Sequence, residues 1–190
     1  MTVSLGTTSP QKVFGGSTTL TLSGKIENLV GTSFADRLTG SSGDNVIYGG
    51  DGDDTIYCGS GNDLVLGGDG DDTIYGNNGR NVLIGGVGRD TLKGAGNDDL
   101  LIGGTTLYDE NLDDLLAILS QWSSKAKASE RVANLTAGIA GASGMVNLER
   151  GNGVIDDETA DSLYGGAGSD WYLSFDSDIL RDQPGKSDFT

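Results

Sequence analysis

A mainly β solenoid is the fold class this sequence predicts, and three observations predict it. A nine-residue unit repeats without a break from residue 31 as GTSFADRLT, GSSGDNVIY, GGDGDDTIY, CGSGNDLVL, GGDGDDTIY, GNNGRNVLI, GGVGRDTLK and GAGNDDLLI. Each unit opens on small, mostly glycine residues and reaches an acid or amide at its sixth position. An aliphatic residue fills the eighth: Leu38, Ile47, Ile56, Val65, Ile74, Leu83, Leu92 and Leu101. A strict short period means that each unit stacks on its neighbours, so that fold and chemistry are both set by what one unit can do.

The first half of the unit is a turn. Glycine tolerates positive φ and leaves carbonyls uncovered, so Gly49, Gly50 and Gly52 allow the backbone to curl with its oxygens inward. A carboxylate, Asp54, then joins them. Oxygen ligands without nitrogen or sulfur are the preference of Ca²⁺, whose loose six-to-eight coordination suits a flexible loop better than the tight octahedron of Mg²⁺. The bland alternative is that such aspartates only cap turns, and repetition in one register weighs against it. The second half, such as Asp54-Thr55-Ile56-Tyr57, predicts a strand of about three residues whose central side chain points into the core.

With eight units in one register, the pattern resembles the RTX nonapeptide proteins, whose repeat reads GGxGxDxUx. The resemblance covers residues 31–102 continuously and returns near the C-terminus. It implies a parallel β-roll, a right-handed solenoid in which two nonapeptides make one coil and several Ca²⁺ ions sit between stacked turns on each side. It also implies that sixth-position residues give side-chain oxygens and that turn residues give main-chain carbonyls. The implied ligands are Asp36, Asn45, Asp54, Asp63, Asp72, Asn81, Asp90, Asp99, Asp161 and Asp170, with Gly49, Asp51, Gly52, Gly61, Gly67, Asp69 and Gly70 in the turns.

If two units make a coil, alternate repeats belong to opposite sides. One side then carries Asp36, Asp54, Asp72 and Asp90, and the other Asn45, Asp63, Asn81 and Asp99. An amide ligates without charge, so the all-aspartate side is expected to bind more tightly. The best position is expected between the turns ending at Asp54 and Asp72, where Asp51, Asp53, Asp69 and Asp71 add negative charge. Arg80 and Arg89, at fifth positions, are expected to weaken nearby sites. The outward strand residues differ too. One sheet shows Arg37, Thr39, Thr55, Tyr57, Thr73, Tyr75, Thr91 and Lys93, an ordinary solvated surface. The other shows Val46, Tyr48, Leu64, Leu66, Val82, Ile84, Leu100 and Ile102, a patch that calls for a cover.

The segment 103–155, where the repeat stops, is the candidate cover. Leu112, Leu115, Leu116, Leu119 and Trp122 predict an amphipathic helix, with Asp109, Glu110, Asp113 and Asp114 in an acidic first turn. A second helix is expected from Ser124 to Leu135, with Val132 and Leu135 inward and Gly138 as its stop. Two readings stand: a hairpin folded over the apolar sheet, or a hairpin packed elsewhere that leaves the sheet as a subunit interface.

The register returns over residues 156–173, with Asp161 and Asp170 at sixth positions and Leu163 in the core. If Gly103 and Gly104 begin the turn that Asp161 finishes, the roll continues through the insertion, and Trp171 and Leu173 extend the apolar face. Residues 174–190, with Asp178-Ile-Leu-Arg-Asp182 and Gly185-Lys-Ser-Asp188-Phe, resemble a shortened C-terminal RTX cap. Residues 1–30 are expected to form an N-terminal β cap through Thr18-Thr-Leu20-Thr and Glu27-Asn-Leu29-Val30, with Glu27 supplying a carboxylate beside Asn45.

Composition bounds the function. With 33 glycines, 35% hydrophobic residues and a formal charge of −16, the metal-free chain repels itself and has little apolar area to offset chain entropy. Each bound Ca²⁺ cancels two charges, so about six to eight ions would roughly neutralise the chain, and metal binding is expected to be coupled to folding. There is no histidine, hence no Ser-His or Cys-His pair and no His-bound zinc, and the periodic carboxylates are already accounted for by Ca²⁺. The chain is therefore read as a non-enzyme. Its charge argues against nucleic acid, and no apolar stretch spans a membrane. The single cysteine, Cys58, excludes an internal disulfide; it is a tolerated replacement of a turn glycine or an intermolecular link. Met1-Thr-Val-Ser-Leu-Gly is not a signal peptide, which leaves a fragment of an exported protein or export through a C-terminal signal. The resemblance implies a secreted or cell-surface bacterial protein and a type I secretion apparatus as partner. Two functions stand: a Ca²⁺-triggered folding and export module, or a surface structural, adhesion or carbohydrate-binding module that self-associates or holds polysaccharide, for which Tyr57 and Tyr75 beside Lys93 are a faint hint.

Overall fold

In the computed structural model, which describes residues 2–4, 11–12, 19–20 and 28–181, alternate repeats fall on two parallel sheets. Arg37 lies beside Thr55, Thr55 beside Thr73, and Thr73 beside Thr91, so the chain climbs by two units per coil. The seven-stranded sheet runs, in spatial order, Thr2–Ser4, Arg37–Thr39, Thr55–Tyr57, Thr73–Asn77, Thr91–Gly96, Ser162–Ala167 and Ile179–Leu180. The six-stranded sheet runs Asn28–Val30, Val46–Asp51, Leu64–Asp69, Val82–Val87, Leu100–Ile102 and Trp171–Leu173. The architecture is that of a parallel β-roll.

Several strands outrun the expected three residues because pairing continues into the glycines. Gly50 pairs with Gly68, and Gly68 with Gly86. Gly50 and Gly68 hold φ at 112° and 116°, and a Cβ on Gly50 would clash with the carbonyl of Thr32 in the adjacent turn. Conformation and close approach both demand glycine there.

Between the sheets the eighth-position side chains form one core. Leu38, Ile47, Ile56, Val65, Ile74, Leu83, Leu92, Leu101 and Leu163 are fully buried, each contributing about 1.5–3 kcal/mol. The last core position belongs to Tyr172, whose hydroxyl accepts the Gly165 N–H at 3.0 Å, so the end of the core is closed by a ring whose polar tip is satisfied.

A second apolar cluster lies outside the six-stranded sheet. Helix α1 (Leu112–Trp122) turns Leu115, Ile118, Leu119 and Trp122 onto Leu64, Leu66, Val82, Ile84, Leu100 and Ile102. Helix α2 (Ala128–Ala137) adds Leu135. The short strands Ile139–Ala140, Met145–Val146, Glu149–Arg150 and Gly153–Ile155 follow it, and this stretch places Val146, Leu148 and Val154 on the same cluster. Trp171 and Leu173 extend it at the far end. The seam also carries ions: Asp98 meets the buried guanidinium of Arg131 at 2.5 Å and Arg80 at 3.6 Å, and Arg131 stacks over Trp122 at 4.7 Å.

Several local expectations are corrected. α1 begins after Asn111, whose side chain caps the Asp114 N–H, and Asp109 and Glu110 precede it. Asp109 instead accepts the Thr106 N–H (2.9 Å) and hydroxyl (2.5 Å). Leu112 and Leu116 are exposed and Ile118 is inward, because contact with the sheet centres one residue stripe away from them. Asp114 is buried rather than solvated; it takes the Ser143 N–H (3.1 Å) and hydroxyl and ties α1 to the turn before Met145–Val146. α2 starts at Ala128, not Ser124, because Ser123 ends α1 and Lys127 caps α2. At the N-terminal end, Thr19–Leu20 pairs antiparallel with Gln11–Lys12 and not with the roll, and the terminal strand of the seven-stranded sheet is Thr2–Ser4. Glu27, Thr18 and the stretch from Asp182 onward lie outside the described residues. Among the described residues no helix is long and apolar enough to cross a membrane.

Candidate metal centres

Each edge of the roll carries a ladder of sixth-position side chains. On one edge the Asp36 N–H donates to Asp54 Oδ1 (2.7 Å), Asp54 to Asp72 (2.7 Å), Asp72 to Asp90 (2.8 Å) and Asp90 to Asp161 (2.7 Å). On the other the Asn45 N–H donates to Asp63 Oδ1 (2.7 Å), Asp63 to Asn81 (3.0 Å), Asn81 to Asp99 (2.8 Å) and Asp99 to Asp170 (2.7 Å). Ten predicted side-chain ligands thus stand in two columns of the predicted composition, and Asp161 follows Asp90 although an insertion separates them.

One carboxylate oxygen serves the ladder; in Asp36 the other accepts the Thr32 N–H (2.7 Å) and hydroxyl (2.9 Å), but further along the columns it stands alone. The Oδ2 atoms of Asp54, Asp63, Asp72, Asp90, Asp99 and Asp161 are buried without a hydrogen-bond partner. Those of Asp54, Asp72, Asp90 and Asp99 face main-chain oxygens. A Cβ on Gly67 would clash with both Asp72 Oδ2 and the Gly85 carbonyl, and one on Gly49 with both Asp54 Oδ2 and the Gly67 carbonyl. The first-position glycines therefore leave a cradle on which a carboxylate and the next turn's carbonyl converge. Gly52, Gly61 and Gly70, at φ 97°, 113° and 135°, carry the other corner of the turn. Asp51, Asp53, Asp69 and Asp71 are exposed, where they add negative field to the turns.

Burial of these carboxylates opposes their charge. It raises Asp54 to about 6, Asp63, Asp72 and Asp161 to about 7, and Asp90 and Asp99 to about 9, ladder hydrogen bonds offsetting only part of the effect in all but Asp54. Burying ionised carboxylates without partners is costly, and a cation would remove that cost. Among the described residues no three His, Cys, Asp or Glu side chains gather, so an ion held here must draw on main-chain carbonyls. That donor set suits Ca²⁺ and does not suit zinc or copper.

The two edges differ at the amides. Asn81 Nδ2 is buried without a partner where an aspartate would place its free oxygen, so a donor group faces the cradle at Gly76. Replacing Asn45→Asp and Asn81→Asp together is expected to strengthen Ca²⁺ binding, by about tenfold per restored charge; unchanged or weaker affinity in calorimetry would refute the ligand assignment on this edge. Cys58 is fully buried in the core and its thiol is pushed well upward by burial, then by Asp63 and Asp99, so an intermolecular disulfide would require the roll to open. Arg80 turns to the insertion, donating to the Ser124 carbonyl (2.7 Å) beside Asp98, so part of its charge is compensated away from the turn.

Two features escaped the nine-residue template. Fifth-position side chains form a second, outer ladder: the Asn62 N–H donates to Asp44, Asp71 to Asp53, Arg80 to Asn62 and Arg89 to Asp71. Asp178 also takes a sixth-position role, accepting the Asp161 N–H at 3.1 Å. It stands 17 residues after Asp161 instead of 18, which hides it from the period.

The family model of the RTX calcium-binding nonapeptide repeat matches four times, at residues 30–65, 59–92, 75–105 and 154–173. Comparison with curated proteins and with solved structures gave no match. The matched segments are those whose turns build the two ladders, they cover half of the chain, and their repeats bind multiple Ca²⁺ ions: this chain belongs to the RTX calcium-binding nonapeptide repeat family.

Proposed function

We propose that this calcium-binding module folds on meeting extracellular Ca²⁺ and serves as the folding, export and stabilising domain of a secreted bacterial protein, handled by a type I secretion apparatus. The observation that carries the reading is the column of buried, unpartnered carboxylate oxygens at successive turns. Each is a cost in the metal-free fold, and each is relieved by a divalent cation. Low Ca²⁺ inside the cell then keeps the chain unfolded for export, and millimolar Ca²⁺ outside folds it. The ligands we assign are the sixth-position side chains, with turn carbonyls around the first-position glycines. The chain's part is to hold those oxygens at fixed spacing, and the ion supplies charge neutralisation. No catalytic role is assigned.

The polysaccharide alternative loses its one hint. Tyr57 and Tyr75 stack on each other at 4.7 Å with planes 3° apart, Arg37 lies over Tyr57 at 4.4 Å, and Lys93 over Tyr75 at 4.7 Å. The ring faces are spent within the sheet, so only edges and hydroxyls face a sugar. A Ca²⁺ titration of chelator-treated protein, read by far-ultraviolet circular dichroism with sedimentation in parallel, tests the proposal. A cooperative gain of strand signal in a monomer is expected. The same gain with assembly would favour a surface-structural role, and a chain folded in chelator and indifferent to Ca²⁺ would overturn both.

A further inference from the structure

The turn that ends at Asp161 is assembled from three separate stretches of chain. Gly103 opens it, immediately after strand Leu100–Ile102. The insertion intervenes, and Asp161 closes it immediately before strand Ser162–Ala167. Asp178 then stacks on it from the C-terminal segment, accepting the Asp161 N–H at 3.1 Å and the Phe175 N–H at 2.8 Å. A Cβ on Gly103 would clash with Asp161 Oδ2 and come within 3.0 Å of Asp178 Oδ2. Asp161 is 1% exposed and its Oδ2 has no hydrogen-bond partner. Two carboxylates therefore aim at the same cradle, where the earlier turns on this edge offer one carboxylate and a carbonyl.

We infer that this position is a cation-dependent clasp: an ion held by Asp161 and Asp178 at Gly103 locks both ends of the helical insertion to the C-terminal segment. The inference rests on the calcium reading above and adds Asp178, which the nonapeptide pattern does not contain, as a ligand. The contacts around the cradle agree with such a role. Arg150 of the insertion donates to the Ser174 carbonyl (3.0 Å), and the Ser177 hydroxyl donates to the Thr159 carbonyl (2.6 Å). The Ile179 N–H donates to the Asp161 carbonyl (2.7 Å), so the final strand is registered on the same residue. Loss of the ion would leave two carboxylates facing each other where three stretches of chain must meet.

The chain's two tryptophans report on the seam that the clasp would close, since Trp122 of α1 and Trp171 of the six-stranded sheet lie 6.1 Å apart. The test compares the unaltered chain, Asp178→Asn and Asp176→Asn in Ca²⁺ titrations, counting bound ions by equilibrium dialysis and following tryptophan emission. Asp176 is exposed, so its variant removes the same charge without touching the cradle. Asp178→Asn is expected to bind one ion fewer and to move the tryptophan transition to about tenfold higher Ca²⁺, while the strand signal of the roll at saturation is kept and Asp176→Asn behaves like the unaltered chain. An unchanged ion count and midpoint in Asp178→Asn, the same change in Asp176→Asn, or loss of the whole strand signal would each overturn the clasp. An unaltered chain that bound no Ca²⁺ would instead fail the calcium reading itself.

Discussion

In chelator at neutral pH the roll is expected to lose its strand signal, and acidification to about pH 5 in the same chelator is expected to restore part of it. The sign follows from the buried aspartates. Asp54, Asp63, Asp72, Asp90, Asp99 and Asp161 sit at about 6 to about 9 in the fold, against about 3.9 for an unperturbed aspartate. A folded value above the unfolded one means that the fold binds more protons, so stability falls as pH rises. That contribution is fully present below about pH 4 and is lost progressively as pH climbs through 6 to 9. Self-repulsion from the formal charge of −16 acts in the same direction.

With Ca²⁺ present the slope should reverse. Protons and Ca²⁺ compete for the same carboxylates, so apparent Ca²⁺ affinity is expected to fall as pH drops through that window. Circular dichroism against pH, once in chelator and once in millimolar Ca²⁺, checks both arms. Parallel slopes would show that the aspartates do not carry the metal.

How far the sequence led depends on which constraint was periodic. The two ladders and the core were legible because one turn and one inward side chain recur at a fixed step, so Asp54 and Ile56 predict Asp72 and Ile74. Even the split turn was legible, since Gly103 and Asp161 each keep their side of the register. Asp178 was not, because a step of 17 residues breaks the period while the backbone absorbs the difference. The insertion was legible only as an amphipathic stripe. Leu116 fits that stripe in sequence, but the sheet selects Ile118, and nothing local distinguishes them. Asp114 reads as a helix-start acid, and only the distant Ser143 reveals that it is buried. Tertiary contact decided each of these.

The largest structural effect is expected from deleting residues 105–152. Thr105 pairs with Ile155, so the insertion leaves the roll at Gly104 and returns beside it after Ile155, and residues 153–155 remain to span the cut. What changes is the surface. Leu64, Val82, Ile84, Leu100 and Ile102 are at most 1% exposed, and Leu66, Trp171 and Leu173 are 3–4% exposed. All eight point away from the inner core on one face. Without the helices this face would stand in water as a contiguous apolar patch on a parallel sheet, a surface prone to association. The shortened chain is therefore expected to bind Ca²⁺ and then aggregate, with the full chain remaining dispersed in the same sedimentation run. The milder Trp122→Ala should leave the roll intact but cost about 3–5 kcal/mol of docking, since Trp122 is fully buried and its indole N–H donates to the Asp98 carbonyl at 3.0 Å. A deletion that stayed monomeric in Ca²⁺ would mean that the sheet face tolerates water and that the insertion is there for something other than cover. The order of addition separates the two parts of the argument: because the face exists only once the strands have formed, aggregation should follow Ca²⁺ and not precede it.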